Sequence, residues 1–129
     1  NKNTYIYETL TSFLLFSNKF DEAKDYINEA MDFNPDNNII KSNYAELCYK
    51  LEKFNESKKH FDTLIDKHVR FIEPYYYTAL IETKNGNFEK SIELLRKAQG
   101  LNESLVSLIS QSDVEQALNC AMVKSLNSI

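Results

Sequence analysis

Glycine and proline are scarce in this chain, which has two of each in 129 residues. Both residues are common in tight turns, and β-sandwiches and barrels need many such turns. Hydrophobic residues nevertheless make up 43% of the sequence and charged residues 26%, a balance typical of a folded globular protein. The scarcity of turn residues therefore favours long helices joined by short turns.

The chain also lacks an excess of basic residues. It has 15 Lys and Arg against 19 Asp and Glu, which gives a formal net charge of −4. The only basic cluster is Lys58-Lys59-His60, and its flanking residues Glu56 and Asp62 are typical of a solvated helix face. Because nucleic acids require a clustered basic surface, no nucleic-acid partner is predicted.

Long apolar runs and paired cysteines are missing as well. The longest apolar run, Phe13-Leu14-Leu15-Phe16, is too short to span a bilayer, so no membrane partner is predicted. Cys48 and Cys120 stand far apart without C-x-x-C spacing, and no charged-then-apolar leader opens the chain. These features predict reduced thiols and a cytoplasmic protein. Since the chain does not begin with Met, we interpret it as part of a longer protein.

No pattern in the sequence predicts catalysis or metal binding. His60 and His68 lie on one predicted helix with Glu56, but a single Glu-x-x-x-His spacing lacks the further ligands that a metal site needs. Gly86 and Gly100 fall at predicted helix ends, so no glycine-rich loop could hold a phosphate. No Ser or Cys stands in a nucleophile motif. We therefore expect a protein that is not an enzyme and has no cofactor or metal.

A short phrase recurs every 34 residues. It reads Asn18-Lys19-Phe20-Asp21-Glu22-Ala23, then Glu52-Lys53-Phe54-Asn55-Glu56-Ser57, then Gly86-Asn87-Phe88-Glu89-Lys90-Ser91. Ala30, Leu64 and Ala98 align in the same register. A fixed period of this size predicts one supersecondary unit stacked on copies of itself. We expect the three phenylalanines to occupy equivalent buried sites between helical layers.

Apolar residues within each period recur at helical spacing, which predicts an all-α fold without strands. One such stripe is Ile6, Leu10, Phe13 and Leu14. The predicted helices are Thr4–Phe16, Phe20–Phe33, Asn38–Leu51, Phe54–His68, Ile72–Lys84 and Phe88–Gln99. A shorter helix is predicted from Ser104 to Ser110. Ser112 and Glu115 have the spacing of a capping box, which predicts a last helix from Ser112 to Leu126.

This period resembles the tetratricopeptide repeat, whose pattern is W-x₂-L-G-x₂-Y, then A-x₃-F, then P. The first copy reads Tyr7-x₂-Leu10-Thr11-x₂-Leu14, then Ala23-x₃-Ile27, then Pro35; the third reads Tyr75-x₂-Thr78-Ala79-x₂-Glu82, then Ser91-x₃-Leu95. Departures from the pattern are Lys41, Ser57, Val69 and Glu82. We expect one domain over residues 1–129, with repeats at about 4–37, 38–71 and 72–103 and capping helices at about 104–126.

The resemblance implies an α-solenoid, a right-handed superhelix of antiparallel helix pairs whose concave groove is lined by the first helix of each pair. The groove residues that it implies are Tyr5, Glu8, Thr9, Ser12, Leu15, Phe16, Ile39, Ser42, Asn43, Glu46, Tyr49, Lys50, Glu73, Tyr76, Tyr77, Leu80 and Lys84. It also implies a non-catalytic scaffold module that binds a protein or peptide. The alternatives are an appended packing or oligomerisation domain of a larger enzyme and a receptor for a small signalling peptide.

The chemistry of these groove residues bears on the partner. Tetratricopeptide domains that hold the C-terminal carboxylate of chaperones use two Lys, two Asn and an Arg, and the matching positions here are Glu8, Ser12, Asn43, Glu73 and Tyr77. Because only Asn43 fits, a chaperone C-terminal carboxylate is not an expected partner. The groove aromatics predict a partner with apolar or aromatic anchors in a neutral to basic segment. A second candidate surface is the apolar end at Val123, Leu126 and Ile129.

Overall fold

The computed structural model describes residues 3–101 and 107–129, and over these residues the protein consists of helices without a strand. The helices are α1 (Thr4–Phe16), α2 (Phe20–Phe33), α3 (Asn38–Lys50), α4 (Phe54–Asp66), α5 (Glu73–Lys84), α6 (Phe88–Gln99) and α7 (Gln111–Asn127). The predicted all-α fold is confirmed. The helices α1, α2 and α6 have the predicted bounds, and α3, α4 and α5 differ from them by one or two residues at one end.

Contacts divide the chain into two compact units, Asn1–Val69 (unit 1) and Arg70–Ile129 (unit 2). In unit 1, α1 pairs with α2 and α3 pairs with α4, while α3 also packs against both α1 and α2. In unit 2, α6 packs against α5 on one side and α7 on the other. Each helix is therefore held mainly by its neighbours in the chain, as expected of repeats.

The core of unit 1 is built from aliphatic and small side chains of its first three helices. Its buried members are Leu14, Leu15, Ala23, Ile27, Ala30, Ile40 and Leu47, and Tyr7, Leu10, Phe20, Met31, Phe33 and Tyr44 pack against them. In unit 2 the helices α6 and α7 bury Leu94, Leu95, Ala98, Val114, Leu118 and Ala121. The spacing of these residues at three and four positions gives each helix one apolar face.

A small residue marks the closest approach of the two helices in each pair. Ala23, Ser57 and Ser91 are all fully buried. The Ser57 hydroxyl donates to the carbonyl of Ala45 at 2.8 Å, and the Ser91 hydroxyl donates to the carbonyl of Ala79 at 2.9 Å. The donors and the acceptors are each 34 residues apart, so the two pairs repeat the same contact. Because each serine hydroxyl is hydrogen-bonded to the backbone of the paired helix, serine can take the place of alanine in the core.

The first helix of each pair ends in the same turn. Asn18, Glu52 and Gly86 have φ angles of 60°, 62° and 81°, which is the left-handed region. The next residue in each copy bonds back to the last helical turn, with Lys19 N–H donating to Leu14 O at 2.8 Å and Asn87 N–H donating to Glu82 O at 2.9 Å. This is the Schellman arrangement. Of these three residues, only Gly86 indicates the turn in the sequence, because a positive φ is energetically unfavourable for Asn and Glu.

Three predictions about local structure differ from the structure, and the first concerns the repeated phenylalanines. Phe20, Phe54 and Phe88 are partly buried instead of buried, because each is the first residue of its helix and lies at the edge of the pair. Phe54 packs edge-on against Tyr49 with 5.3 Å between ring centroids. The register is right, since the three residues occupy equivalent places. The prediction of full burial between layers was wrong.

The other two differences lie at the start of the C-terminal region. Residues 107–110 are not helical, so the predicted helix from Ser104 to Ser110 is wrong there, and residues 104–106 lie outside the described residues. The last helix begins at Gln111 because Ser110 caps it: Ser110 Oγ accepts from Asp113 N–H at 3.1 Å, and Asp113 Oδ2 accepts from Ser110 N–H at 3.0 Å. The capping box is therefore Ser110 with Asp113, not Ser112 with Glu115.

The left-handed turns allow a matched test of backbone strain. Glu52→Gly removes the Cβ from a residue at φ 62°, and we expect it to raise the free energy of unfolding by about 0.5–1 kcal/mol. Gly86→Ala adds a Cβ at φ 81°, where it meets no heavy atom of the described residues within 4 Å. Its expected loss of about 1 kcal/mol is therefore conformational. Urea denaturation monitored by circular dichroism measures the free energy of unfolding of both variants. If both substitutions changed it by the same amount in the same direction, Glu52 and Gly86 would not occupy the same kind of turn.

The small-residue position is tested at Ser57. Ser57→Ala should change the free energy of unfolding by less than about 1 kcal/mol, because the equivalent residue in the first pair is Ala23. Ser57→Leu inserts a large side chain where the two helices touch, and it should cost roughly 3 kcal/mol. Thermal and urea unfolding of the two variants would compare these values. A Ser57→Leu protein as stable as the Ser57→Ala protein would show that the helices do not meet at this residue.

Candidate peptide-binding site

Potential metal ligands do not gather anywhere in the described ranges 3–101 and 107–129, where no group of three or more His, Cys, Asp or Glu residues could hold an ion. Glu56 and His60 instead form a local cluster with Tyr44. His60 Nε2 lies 3.7 Å from Glu56 Oε1, and the Tyr44 hydroxyl donates to the same oxygen at 3.1 Å. Burial, the neighbouring Cys48 and Glu56 raise the pKa of Tyr44 to about 12. Tyr44 therefore keeps its proton and acts as a hydrogen-bond donor.

Cys48 lies close to this cluster and is a buried thiol. Burial raises its pKa, and the hydrogen bond with Tyr44 offsets only part of that effect. Since the thiolate is the reactive form of cysteine, Cys48 is poorly suited to nucleophilic chemistry. In the part of the chain that the structure describes, no helix is both long and apolar enough to cross a bilayer.

Three of the predicted groove residues come together in unit 1 as a contact between α1 and α3. Asn43 donates its side-chain amide to Thr11 Oγ1 at 2.6 Å, to Ser12 Oγ at 3.3 Å and to the carbonyl of Glu8 at 3.4 Å. Glu8, Ser12 and Asn43 are all buried. Burial raises the pKa of Glu8, and a hydrogen bond with Asn37 opposes the rise. In this structure the side chains of Asn43 and Ser12 and the backbone carbonyl of Glu8 hold the two helices together.

Other predicted groove residues of unit 1 are accessible. Tyr5 and Phe16 on α1 expose 54% and 65% of their surface. Thr9 on the same helix is partly exposed, and so are Ile39, Glu46, Tyr49 and Lys50 on α3, whereas Leu15 and Ser42 are buried. Burial raises the pKa of Tyr49, whose ring packs against Phe54. Apart from Ile39, these accessible residues are aromatic or polar.

In unit 2 the predicted groove residues all lie on α5, and some of them are buried while others are accessible. Glu73 and Tyr77 are buried, whereas Tyr76 and Leu80 are partly exposed and Lys84 is exposed. The rings of Tyr76 and Tyr77 meet edge-on with 5.2 Å between centroids. Tyr76 therefore contacts the buried Tyr77 while part of its own surface stays accessible. Tyrosine supplies a large apolar contact area together with a polar tip.

The structure also exposes part of the apolar stripe of the first helix. Ile6 and Phe13 belong to that stripe, and they expose 58% and 54% of their surface. With Tyr5, Thr9 and Leu10 they line an apolar depression of about 480 Å³. We call these five residues the α1 face. A signal for it is present in the sequence, because α1 is apolar on more than one side and has a single charged residue.

Asn43 provides a test of the α1–α3 contact. Asn43→Ala removes the amide that bridges Thr11, Ser12 and Glu8, and it should lower the free energy of unfolding by about 1–3 kcal/mol. Phe16→Ala is the control, because its exposed ring should contribute less than about 0.5 kcal/mol. Urea denaturation of both variants measures the difference. An Asn43→Ala protein as stable as the control would show that the hydrogen bonds do not hold the helices.

Comparison with known proteins agrees with the helix pairs. The sequence profile described as tetratricopeptide repeat matches residues 5–37 and 73–105. The first match covers α1 and α2, and the second begins with α5 and α6. Among curated proteins, none matches the chain. Seven helices, among them three successive helix pairs, agree with three repeats and a C-terminal helix over the described residues. The two profile matches cover half of the sequence, and the chain belongs to the tetratricopeptide repeat family.

Proposed function

We propose that this protein is a non-catalytic scaffold module that binds a protein or peptide through accessible side chains on first helices, which are α1 and α3 in unit 1 and α5 in unit 2. Repeats of this family bind proteins or peptides in general. The observation that carries the proposal is the exposure of aromatic side chains on first helices, foremost Phe16 at 65%. Phe16 lies three residues from the exposed Phe13, so the two rings are neighbours on the helix surface, and adjoining exposed apolar surface favours a partner that covers it. Tyrosines such as Tyr49 and Tyr76 add a polar tip for orientation.

Burial changes what charge can contribute to the proposed binding. Glu8 and Glu73, two of the three carboxylates among the predicted residues, are buried. Glu46, Lys50 and Lys84 are the charged residues of the set that reach solvent at least in part. Because one carboxylate and two lysines remain accessible, these charges do not favour a basic segment, and we expect aromatic anchors to provide most of the affinity.

The same residues argue against a terminal carboxylate as the ligand. Two of the three positions that carry cations in chaperone-binding tetratricopeptide domains are Glu8 and Glu73 in this chain, and both are buried. Placing a carboxylate against buried carboxyl groups is unfavourable, because no guanidinium or ammonium group at these positions would pair with it. We therefore propose internal segments of proteins as ligands, with apolar or aromatic side chains at intervals.

Selection from a random peptide library, followed by titration of the selected peptides, tests this proposal. Phe16→Ala, Tyr49→Ala and Tyr76→Ala should each weaken binding by about 1–3 kcal/mol if the ring covers a ligand side chain. Tyr26→Ala is the matched control, because Tyr26 is an exposed tyrosine on the second helix α2. Tyr77 is unsuitable for this test, since its truncation would disturb the core. Circular dichroism would establish that each variant remains folded.

Two outcomes would contradict the proposal. The first is unchanged affinity in Phe16→Ala, Tyr49→Ala and Tyr76→Ala for every selected peptide. The second is a loss in Tyr26→Ala as large as the loss in the first-helix variants, which would place the ligand on the second helices. A selection enriched in peptides that require a free C-terminal carboxylate would overturn the proposed ligand class.

A further inference from the structure

A cavity of about 560 Å³ lies inside unit 2, where the last turn of α5, the first half of α6 and the last turn of α7 meet. Four charged residues are part of its lining, namely Glu82, Glu89, Lys90 and Glu93. We call it the Glu82 cavity. None of the aromatic side chains assigned to peptide binding lines it, so the cavity is a separate feature of the molecule.

Glu82 stands at a position where the repeat otherwise has an apolar residue. The residues one and two periods earlier are Cys48 and Leu14, which expose only 4% and 8% of their surface. Glu82 is buried to the same extent, with 7% exposed. A carboxylate at such a position opposes folding, because a charge that leaves water without a partner is costly. Packing of the helix pair therefore does not account for a glutamate here.

The carboxylate of Glu82 has no cation beside it within residues 3–101 and 107–129. Its one hydrogen bond there comes from Asn87, whose Nδ2 donates to Oε1 at 3.4 Å. The ion pairs of this part of the chain involve other carboxylates. A long hydrogen bond from a neutral amide leaves most of the negative charge uncompensated. Since Glu82 lines the cavity, a cation bound in the cavity would pair with it.

The other charges of the Glu82 cavity already have counterparts. Lys90 Nζ lies 3.6 Å from Glu93 Oε1. Glu89 belongs to the first turn of α6, where a carboxylate complements the partial positive charge of the helix N-terminus. The surplus charge of the cavity is therefore negative and centred on Glu82. This surplus favours a ligand with a single positive charge.

The chemistry of the lining favours a guanidinium group over a metal ion. The described residues contain no group of three or more His, Cys, Asp or Glu that could hold a metal. A guanidinium instead needs several acceptors spread around a plane, and the lining offers the Glu82 carboxylate and the Ser125 hydroxyl. A guanidinium also stacks on aromatic rings, and Phe88 is part of the lining.

From the buried carboxylate, the surplus charge and the lining together, we propose that the Glu82 cavity binds the guanidinium group of an arginine side chain of a partner protein. Folding has already removed most of the Glu82 side chain from water, so its desolvation adds little to the cost of binding. The site uses none of Phe16, Tyr49 and Tyr76, and it does not depend on the proposed peptide binding.

Titration of the isotope-labelled chain with Nα-acetyl-L-arginine N-methylamide tests the proposal by NMR. The guanidinium is the only charge of this probe. Amide signals of Gly86, Asn87 and Ser125 should shift and saturate with a dissociation constant on the order of a millimolar, as expected when one side chain binds. The citrulline analogue has the same length without the charge, and it should bind at least about tenfold more weakly. Absence of shifts with the arginine probe, or equal binding of both probes, would overturn the proposal.

Matched variants locate the binding within unit 2. Glu82→Gln keeps the size of the side chain and removes its charge, and it should weaken binding of the arginine probe at least about tenfold. Glu115→Gln is the control, because Glu115 is exposed on α7 and does not line the cavity. Lys90→Gln removes the cation of the described lining and should strengthen binding. If Glu82→Gln and Glu115→Gln had equal effects, the probe would be attracted by the general negative charge of the protein, and the site would be refuted.

A last variant separates a role in binding from a role in folding. Glu82→Leu introduces the residue type that Leu14 has in the first pair. It should abolish binding of the arginine probe and raise the urea midpoint of unfolding, because it removes a buried charge that has no cation beside it. A midpoint below that of the wild type would show that the carboxylate serves the fold. That result would contradict the proposed reason for a glutamate at this position.

Guanidinium chloride at millimolar concentration distinguishes an arginine side chain from a small free cation. The aliphatic stem of arginine should add contacts with the cavity wall, so the free ion should bind several times more weakly than the arginine probe. Equal affinity of the free ion would overturn the assignment of the cavity to a protein side chain.

Discussion

Close packing within helix pairs is the constraint on which the rest of the structure depends. It requires a small residue at one place in each second helix, and Ala23, Ser57 and Ser91 meet the requirement. Where the residue is serine, its hydroxyl donates a hydrogen bond to a backbone carbonyl of the partner helix. The buried serine therefore leaves no unsatisfied hydroxyl in the core. The Schellman turns contribute to the same packing, because each of them sets the angle at which the chain leaves a first helix and enters the second.

This packing decides which side chains remain for function. Residues facing the partner helix become core, and the hydrogen bonds of Asn43 draw Glu8 and Ser12 into the contact between α1 and α3. Aromatic rings such as Phe16 remain outside it. In the proposed function, exposed aromatic side chains on first helices bind the partner, whereas the buried polar residues beside them stabilise the helix packing.

The sequence predicts the helices well because their signals are local and repeated. The 34-residue period and the 3.6-residue spacing place α1, α2 and α6 with their observed bounds. It predicts the cap of α7 less well, since both Ser110 and Ser112 can begin a capping box, and the hydrogen bonds observed are those of Ser110 with Asp113. Burial of Glu8, Asn43 and Glu73 was not predictable either. Their side chains are polar, and only their hydrogen bonds and neighbours decide whether they face water.

Mapping a bound peptide on the protein by NMR would test the proposed role of the first helices most directly. Amide chemical shifts of the labelled chain would be followed while a library-selected peptide is added. We expect the largest shifts on first helices, around Phe16 and Tyr49 in unit 1 and around Tyr76 in unit 2, with small changes in α2, α4 and α6. Shifts concentrated on the second helices, or confined to α7, would contradict it.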